Sequence, residues 1–496
     1  MARESEEEQQ PASDRAVPQF LFYLSALAVG LFLVRVLGEP WRSDFPKSFP
    51  DAFSFTKVAT KGPFHPSFYF DERPIGYPLL LWSVARSTTV AVVAQTCLYC
   101  ASFLTLGYVA FRTLRARTAQ IFAIILFMLL SVQPRFAQWN TQILSESLYL
   151  SLAILMIAAW WWAAVYAPKG VRLAWVATAA WLLTRDGNVA PVLAVVVPVA
   201  LAVGIWGRTD RTTKRRLLWG AGIAILLSGY VVVSESAADR NRYPLNNNIG
   251  IRMLPDADMT DFFVDGGMPM SDALRARTGR DSWADGPESF LENPELEEYR
   301  EWAEGPGRRR LLLSLAVEFP WWYDRISDEL PQHLKANLPS YDTFNVRERL
   351  PTRPLGPFGS PESNRSFLIW TGMAVLGLGV ALLDRGRRAL VIFGAAGLVS
   401  ALVDIYVSYA GDAVEVGRHL VGPLGRTSVM LIACIAIGID AFIHWRRHRG
   451  EEEPTDEVDE DEIPDDEITD DEIPGPEISR DKPDTEPDDD PVGAQA

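Results

Sequence analysis

About ten apolar runs of membrane-spanning length divide this 496-residue chain, and they constrain its fold more than any other feature. They lie at residues 18–37, 88–111, 119–132, 144–166, 173–183, 188–206, 217–233, 367–383, 389–409 and 427–445. A bilayer core about 30 Å thick takes about 20 helical residues, so the short runs at 119–132 and 173–183 need tilted or sheltered helix around them. Away from water, backbone N–H and C=O groups must pair within their own segment, and runs of this length do so as helices. The expected fold is an all-α polytopic membrane protein with about ten transmembrane helices. An ordinary cytosolic enzyme is excluded.

The formal net charge of −16 belongs to one end of the chain. Residues 451–496 hold 22 Asp/Glu against two Lys/Arg, leaving 45 bases against 41 acids elsewhere. The body therefore offers no surface for nucleic acid. The acidic stretch repeats Asp-Glu-Ile at 461–463, 466–468 and 471–473. Dense like charge with proline cannot bury enough apolar surface to fold, so 446–496 reads as a solvated cytoplasmic tail. The cysteines Cys97, Cys100 and Cys434 all sit in apolar runs, which argues against a disulfide framework.

Orientation follows from the short loops. One alternating set carries 16 basic residues, among them Arg112, Arg115, Arg117, Lys169, Arg172, Arg208 and the 385–388 and 446–449 clusters. The other set carries four, Arg135, Arg185, Arg418 and Arg426. The positive-inside rule puts the first set in the cytoplasm. Ten spans then leave both termini cytoplasmic in a multi-pass cell-membrane protein. The chain divides into a tail at 1–17, a membrane core at 18–233 with an outer loop at 38–74, an extracytoplasmic domain at 234–366 of mixed or mostly helical structure, and C-terminal membrane helices at 367–445.

Four polar clusters fall on the outer side, where ionisable groups beside lipid are costly and tend to be functional. The first is the outer loop with Asp44 and Asp51. A carboxylate there can take a proton from an acceptor hydroxyl or hold a divalent ion that does so indirectly. Asp51 can equally cap the helix that follows. The second is Arg73-Pro74-Ile75-Gly76-Tyr77-Pro78, whose Arg73 suits either a lipid phosphate or a snorkelling anchor. The third joins Glu146, in Leu144-Ser145-Glu146-Ser147-Leu148, to Arg185, in Leu183-Thr184-Arg185-Asp186. Arg185 has the planar fork that matches phosphate oxygens, and an ion pair with Glu146 or Asp186 is the simpler use of it. The fourth is Glu415-Val416-Gly417-Arg418-His419, which offers donors to an anionic headgroup unless Glu415 and Asp412 neutralise them.

These motifs resemble those of the GT-C superfamily, the polytopic glycosyltransferases that use polyprenyl-phosphate sugars. Asp51-x-x-x-Phe55-x-x-x-Ala59 is similar to the outer-loop acidic motif. Arg73 to Leu79 resembles the Arg-Pro-Pro-Gly-Tyr-Pro of the protein-mannosyltransferase-like and aminoarabinose-transferase-like branch. The Ser145-Glu146, Leu183-Thr184-Arg185 and Glu415-x-x-Arg418-His419 segments resemble further motifs of that branch. Residues 234–366 look like the outer segment of actinobacterial members. The resemblance implies transfer of a sugar from a lipid-linked donor to a glycan, lipid or protein acceptor, with inversion. Asp51, Asp44 and Glu146 would be the catalytic carboxylates, and Arg185, Arg418, His419 and Arg73 would bind the donor phosphate. No metal site is implied by spacing, and a divalent metal stays open. The alternative is a non-catalytic relative, or a transporter, that binds a lipid-linked sugar. Halves without internal similarity and ionisable residues gathered at one boundary favour transfer over transport.

The orientation has a direct test. A green fluorescent protein fused after Ala496 should fluoresce in bacteria and an alkaline phosphatase fused there should be inactive; the reverse pair would invert the topology.

Overall fold

The structure, a computed structural model, describes residues 50–283, 289–335 and 363–449. The expected first span at 18–37, Asp44, the proline-rich exit near 351–361 and the acidic tail from 450 lie outside the described residues. Every described element is helical or irregular, with no strand among the described residues.

A short helix α1 (Pro50–Lys61) and α2 (Gly76–Ser83) lead into α3 (Thr88–Thr113) and α4 (Arg117–Ser131). Then come α5 (Ser145–Tyr166), α6 (Lys169–Leu182), α7 (Asp186–Trp206) and α8 (Arg211–Ala237). After a run of short helices, α9 (Arg308–Val317) and α10 (Phe319–Lys335) precede α11 (Asn364–Ala381), α12 (Arg388–Gly411) and α13 (Val416–Arg449). Each expected run within the described residues falls on one of these helices. Six of them, α3, α5, α7, α8, α12 and α13, are long and apolar enough to cross a membrane. A seventh forms if α4 is joined to 135–141 across a 56° bend at Pro134, where the ring removes a helix donor. The chain is a helical membrane protein; α6, with 14 residues, falls short of a full crossing.

The bundle is organised by which helix faces find protein. On α3 the buried set Ala91, Gln95, Tyr99, Ser102, Leu106, Ala110 and Thr113 recurs every three or four residues, while Val90, Val93 and Tyr108 point outward. Leu226 on α8 and Leu376 on α11 are likewise exposed apolar side chains, as expected of surfaces that meet lipid. The unbroken buried stretch from Val429 to Ile437 marks α13 as the central helix, apolar all round and enclosed all round. A second core joins Ile249, Phe263, Trp302 and Trp322 to Ile405 and Tyr409 of α12 and Leu420 of α13, so the 234–335 segment and the helix ends share one interior.

Arg426 is a helix residue and not, as expected, a loop residue. It lies inside α13, 1% exposed, with its Nη1 3.1 Å from Asp404 Oδ2 and its guanidinium 4.6 Å over the Trp181 ring. It borders an apolar cavity of about 210 Å³ between α5, α6, α7, α8, α12 and α13, with Trp160, Leu217 and Phe393 among its walls.

Near the far end of α13, Asp440 fixes two connections at once. Its Oδ1 accepts from the backbone N–H groups of Arg115 and Ala116 at 2.6 Å, and Oδ2 pairs with Arg387. The carboxylate thereby caps the start of α4 and ties it to the α11–α12 turn. Removing one partner of a buried pair strands the other. Asp440→Ala should therefore cost about 3–5 kcal/mol and lower the melting temperature of the detergent-purified protein; an unchanged melt would show the cap to be incidental.

Candidate functional site

Arg418 stands in the first turn of α13, 8% exposed, at the hub of the sequence-nominated residues. Its Nε donates to Glu146 Oε1 at 2.6 Å, and its Nη1 donates to Asp51 Oδ2 at 2.7 Å and Glu415 Oε2 at 2.8 Å. Glu146, in the first turn of α5, is 1% exposed and also pairs with Arg185 Nη2 at 3.0 Å. Its Oε2 is buried with no hydrogen-bond partner. Arg73 completes the set, with Nη2 on Asp51 Oδ1 and Nε on Ser54 Oγ at 2.6 Å, its guanidinium 4.9 Å over the Phe55 ring. Three carboxylates and three guanidinium groups thus form one connected cluster.

Local structure explains how such distant segments meet. Asp51 sits in the first turn of α1, and both carboxylate oxygens go to guanidinium groups instead of capping that helix. Gly76 brings the Arg73 segment against the turn that bears Arg185. Its N–H donates to the Leu183 carbonyl at 2.9 Å, and a Cβ there would lie 2.7 Å from the same oxygen. The turn itself is held by Asn188 Nδ2 on the Trp181 carbonyl at 2.7 Å and Thr184 Oγ1 on the same carbonyl at 2.7 Å. Gly422 opens space for Tyr149, whose ring lies 4.7 Å beneath the Arg185 guanidinium.

His419 is adjacent but less engaged. Its carbonyl accepts from Arg185 Nη1 at 3.4 Å, and its Nε2 is 3.9 Å from Asp412 Oδ2, beyond hydrogen-bond reach. The structure thus gathers Asp51, Glu146, Arg185, Arg418, Arg73 and His419; Asp44 lies outside the described residues. Asp186 turns away to a two-pronged pair with Arg240, Nε to Oδ2 and Nη2 to Oδ1 at 2.8 Å each. Arg240, Tyr149, Asp404 and Ser54 went unnoticed in sequence. Only Asp404, a carboxylate within an apolar run, carried a signal that could have flagged it.

The electrostatics set a limit on the chemistry. Burial pushes the Asp51 carboxyl up, but Arg418 and Arg73 outweigh it and hold the group below the usual aspartate value. So placed, Asp51 is ionised yet a weak base while both guanidinium groups stay on it. Partial burial raises the Glu415 carboxyl above the usual glutamate range, Asp51 and Glu146 adding to the rise and Arg418 opposing it. Glu415 also has a φ of +54°, in the left-handed region that costs a side-chain-bearing residue energy. It is the least secure counter-ion of Arg418. No group of three or more His, Cys, Asp or Glu side chains arranged to hold a metal occurs among the described residues.

No protein-family model matches the chain, and no curated protein does. Among solved structures, the archaeal oligosaccharyltransferase AglB from Archaeoglobus fulgidus, in complex with an inhibitory peptide and a dolichol-phosphate, is similar with a TM-score of 0.39 and 10% identity. The match covers 89% of this chain and 52% of that one, so the chain spans about half that protein's length. A likeness at this level assigns neither family nor activity.

Glu146 has the most to lose by substitution. Glu146→Ala leaves Arg418 and Arg185 short of a buried counter-ion and should cost about 3–5 kcal/mol, with Glu146→Gln recovering part of it; thermal melts of the purified variants that match the wild type would contradict the hub.

Proposed function

We propose that the chain is an integral membrane glycosyltransferase, transferring a sugar from a polyprenyl-phosphate donor to an extracytoplasmic acceptor with inversion. One observation carries this reading: Asp51, Arg73, Glu146, Arg185 and Arg418, contributed by five separate stretches of chain, are within ion-pair distance in a single network. Structural ion pairs alone rarely need three guanidinium groups at one point beside an apolar bundle, whereas a phosphodiester headgroup does.

The donor phosphate would enter with a negative charge into a cluster already balanced at three against three. Its cheapest route is to displace Glu415 from Arg418, or to let Glu415 take a proton. Arg418, Arg185 and Arg73 then turn toward the phosphate, and Asp51 loses part of the cationic field that suppresses its basicity. The acceptor hydroxyl attacks the anomeric carbon from the face opposite the phosphate. Its proton passes to Asp51, the new C–O bond forms, and the anomeric C–O bond to phosphate breaks with its electron pair leaving on the phosphate oxygen. Guanidinium groups aimed at that oxygen stabilise the developing charge. Glu146, enclosed and held by two arginines, positions them and takes no proton.

Two measurements test this. In vesicles supplied with a polyprenyl-phosphate sugar, Asp51→Asn should lower turnover about 100-fold or more, and Arg185→Ala by a comparable factor. Turnover unchanged in both would overturn the proposal, and wild-type binding of the lipid phosphate without turnover would favour the non-catalytic reading. The pH dependence of binding supplies the second. A phosphodiester keeps its charge from about pH 5 to 8, while burial makes the Glu415 carboxyl hold its proton to higher pH than an ordinary glutamate. Donor affinity should therefore weaken as pH rises, and Glu415→Gln should flatten the dependence; a slope retained in that variant would remove Glu415 from the account.

A further inference from the structure

The cluster is not the only organised polar feature at this end of the molecule. Tyr243 and Trp283 stack with ring centroids 4.7 Å apart and planes 10° from parallel, and both are exposed, Tyr243 by 39% and Trp283 by 60%. Two parallel rings usually bury their faces in a core. Here each ring covers a face of the other while both residues keep solvent-exposed surface.

The pair is held rigidly from behind. Buried Ser282 sends both its N–H, at 2.8 Å, and its Oγ, at 2.7 Å, to Asn247 Oδ1. Asn247 Nδ2 donates in turn to Asp412 Oδ1 at 2.9 Å. Burial raises the Asp412 carboxyl, and the Val414 N–H and Asn247 hold it back. Asp412 begins the turn that carries Glu415 and Arg418, so a short polar chain links the aromatic stack to the ionic hub.

The surroundings of the stack are hydrophilic. Trp283 follows Arg280 and Asp281, and its backbone N–H donates to Asp281 Oδ1 at 3.0 Å. Arg242 and Asn246, on the same short helix as Tyr243, line a separate small cleft with Leu245, Arg300 and Glu304. Burying the stack in the hydrocarbon core would strip water from these charged groups. Phe64 and Trp82, exposed beside one another near α1 and α2, form a separate edge-to-face pair.

We infer that the Tyr243–Trp283 stack is a docking platform for a sugar ring, making the acceptor a glycan. The apolar C–H face of a pyranose or furanose lies flat on an exposed indole, while its hydroxyl rim needs planar donors and acceptors such as guanidinium, carboxylate and amide groups. The exposed Trp283 ring supplies the first, and Arg280 and Asp281, just before it in the chain, supply the second. This inference rests on the transferase reading for its meaning, naming the acceptor class of that same site, but not for its test.

The test uses the full-length protein in lipid nanodiscs, with mannohexaose, maltohexaose and arabinohexaose as probes, each followed by saturation-transfer NMR and calorimetry. At least one should bind; Trp283→Ala should weaken it about tenfold, and Trp283→Phe should restore part of the loss, with unchanged melting temperature in both. No binding of any probe at about 10 mM, or binding untouched by Trp283→Ala, would overturn the inference. So would a Trp283-dependent quench of fluorescence by brominated lipid, which would make the stack a membrane anchor. Glycan binding in a protein that never turns over would keep the platform and remove the transferase reading, so the two failures are distinguishable.

Discussion

Burying charge beside an apolar bundle is expensive, and the arrangement around Arg418 is how this chain meets the cost. One guanidinium is shared among Glu146, Asp51 and Glu415, and a second, from Arg185, reinforces Glu146. Each partner comes from a different stretch of chain, so the network also sets where α1, α5, α6, α12 and α13 meet. Isolated surface ion pairs contribute little, but enclosed ones bind their segments because losing one member leaves another stranded. The function we propose exploits that same tension: an incoming phosphate is stabilised where it can replace the weakest carboxylate.

The opposite end of the bundle repeats the device for a structural purpose. Asp440 lies 22 residues beyond Arg418 on α13, a rise of about 33 Å, close to the thickness of a bilayer core. There Asp440 pairs with Arg387 and caps α4, and Arg115 reaches both Asp384 and His444. Between the two ends α13 carries one buried pair of its own, Arg426 with Asp404, extended by the Tyr149 hydroxyl to the ring beneath Arg185. Tyr149 therefore touches both the deep pair and the cluster, which gives Arg185 a firm seat.

Hydropathy made the helices legible because a membrane helix announces itself by length and composition alone. It marked 119–132 and 173–183 as short for a full crossing, and α6 has 14 residues, but it could not reveal the bend after Ser131, which depends on how neighbours shelter backbone. The cluster was partly legible: Asp51, Arg73, Glu146, Arg185 and Arg418 each stood out as a charge next to lipid. Their pairing was not, because the choice of Glu146 over Asp186 for Arg185 is made by Arg240, a residue in a segment without periodicity. Arg426 misled because charge on an apolar run reads as a boundary, whereas Asp404 on the facing helix makes it affordable inside. The aromatic stack was invisible for a related reason, its two rings being 40 positions apart in an irregular region.

A structure of the full chain with a bound polyprenyl phosphate tests the central claim most directly. The account predicts the phosphate within about 3 Å of the Arg418 and Arg185 guanidinium groups, with the Glu415 carboxylate released from Arg418. A headgroup bound elsewhere, with the Asp51–Arg418–Glu146 contacts undisturbed, would contradict it and leave the cluster as a structural clasp.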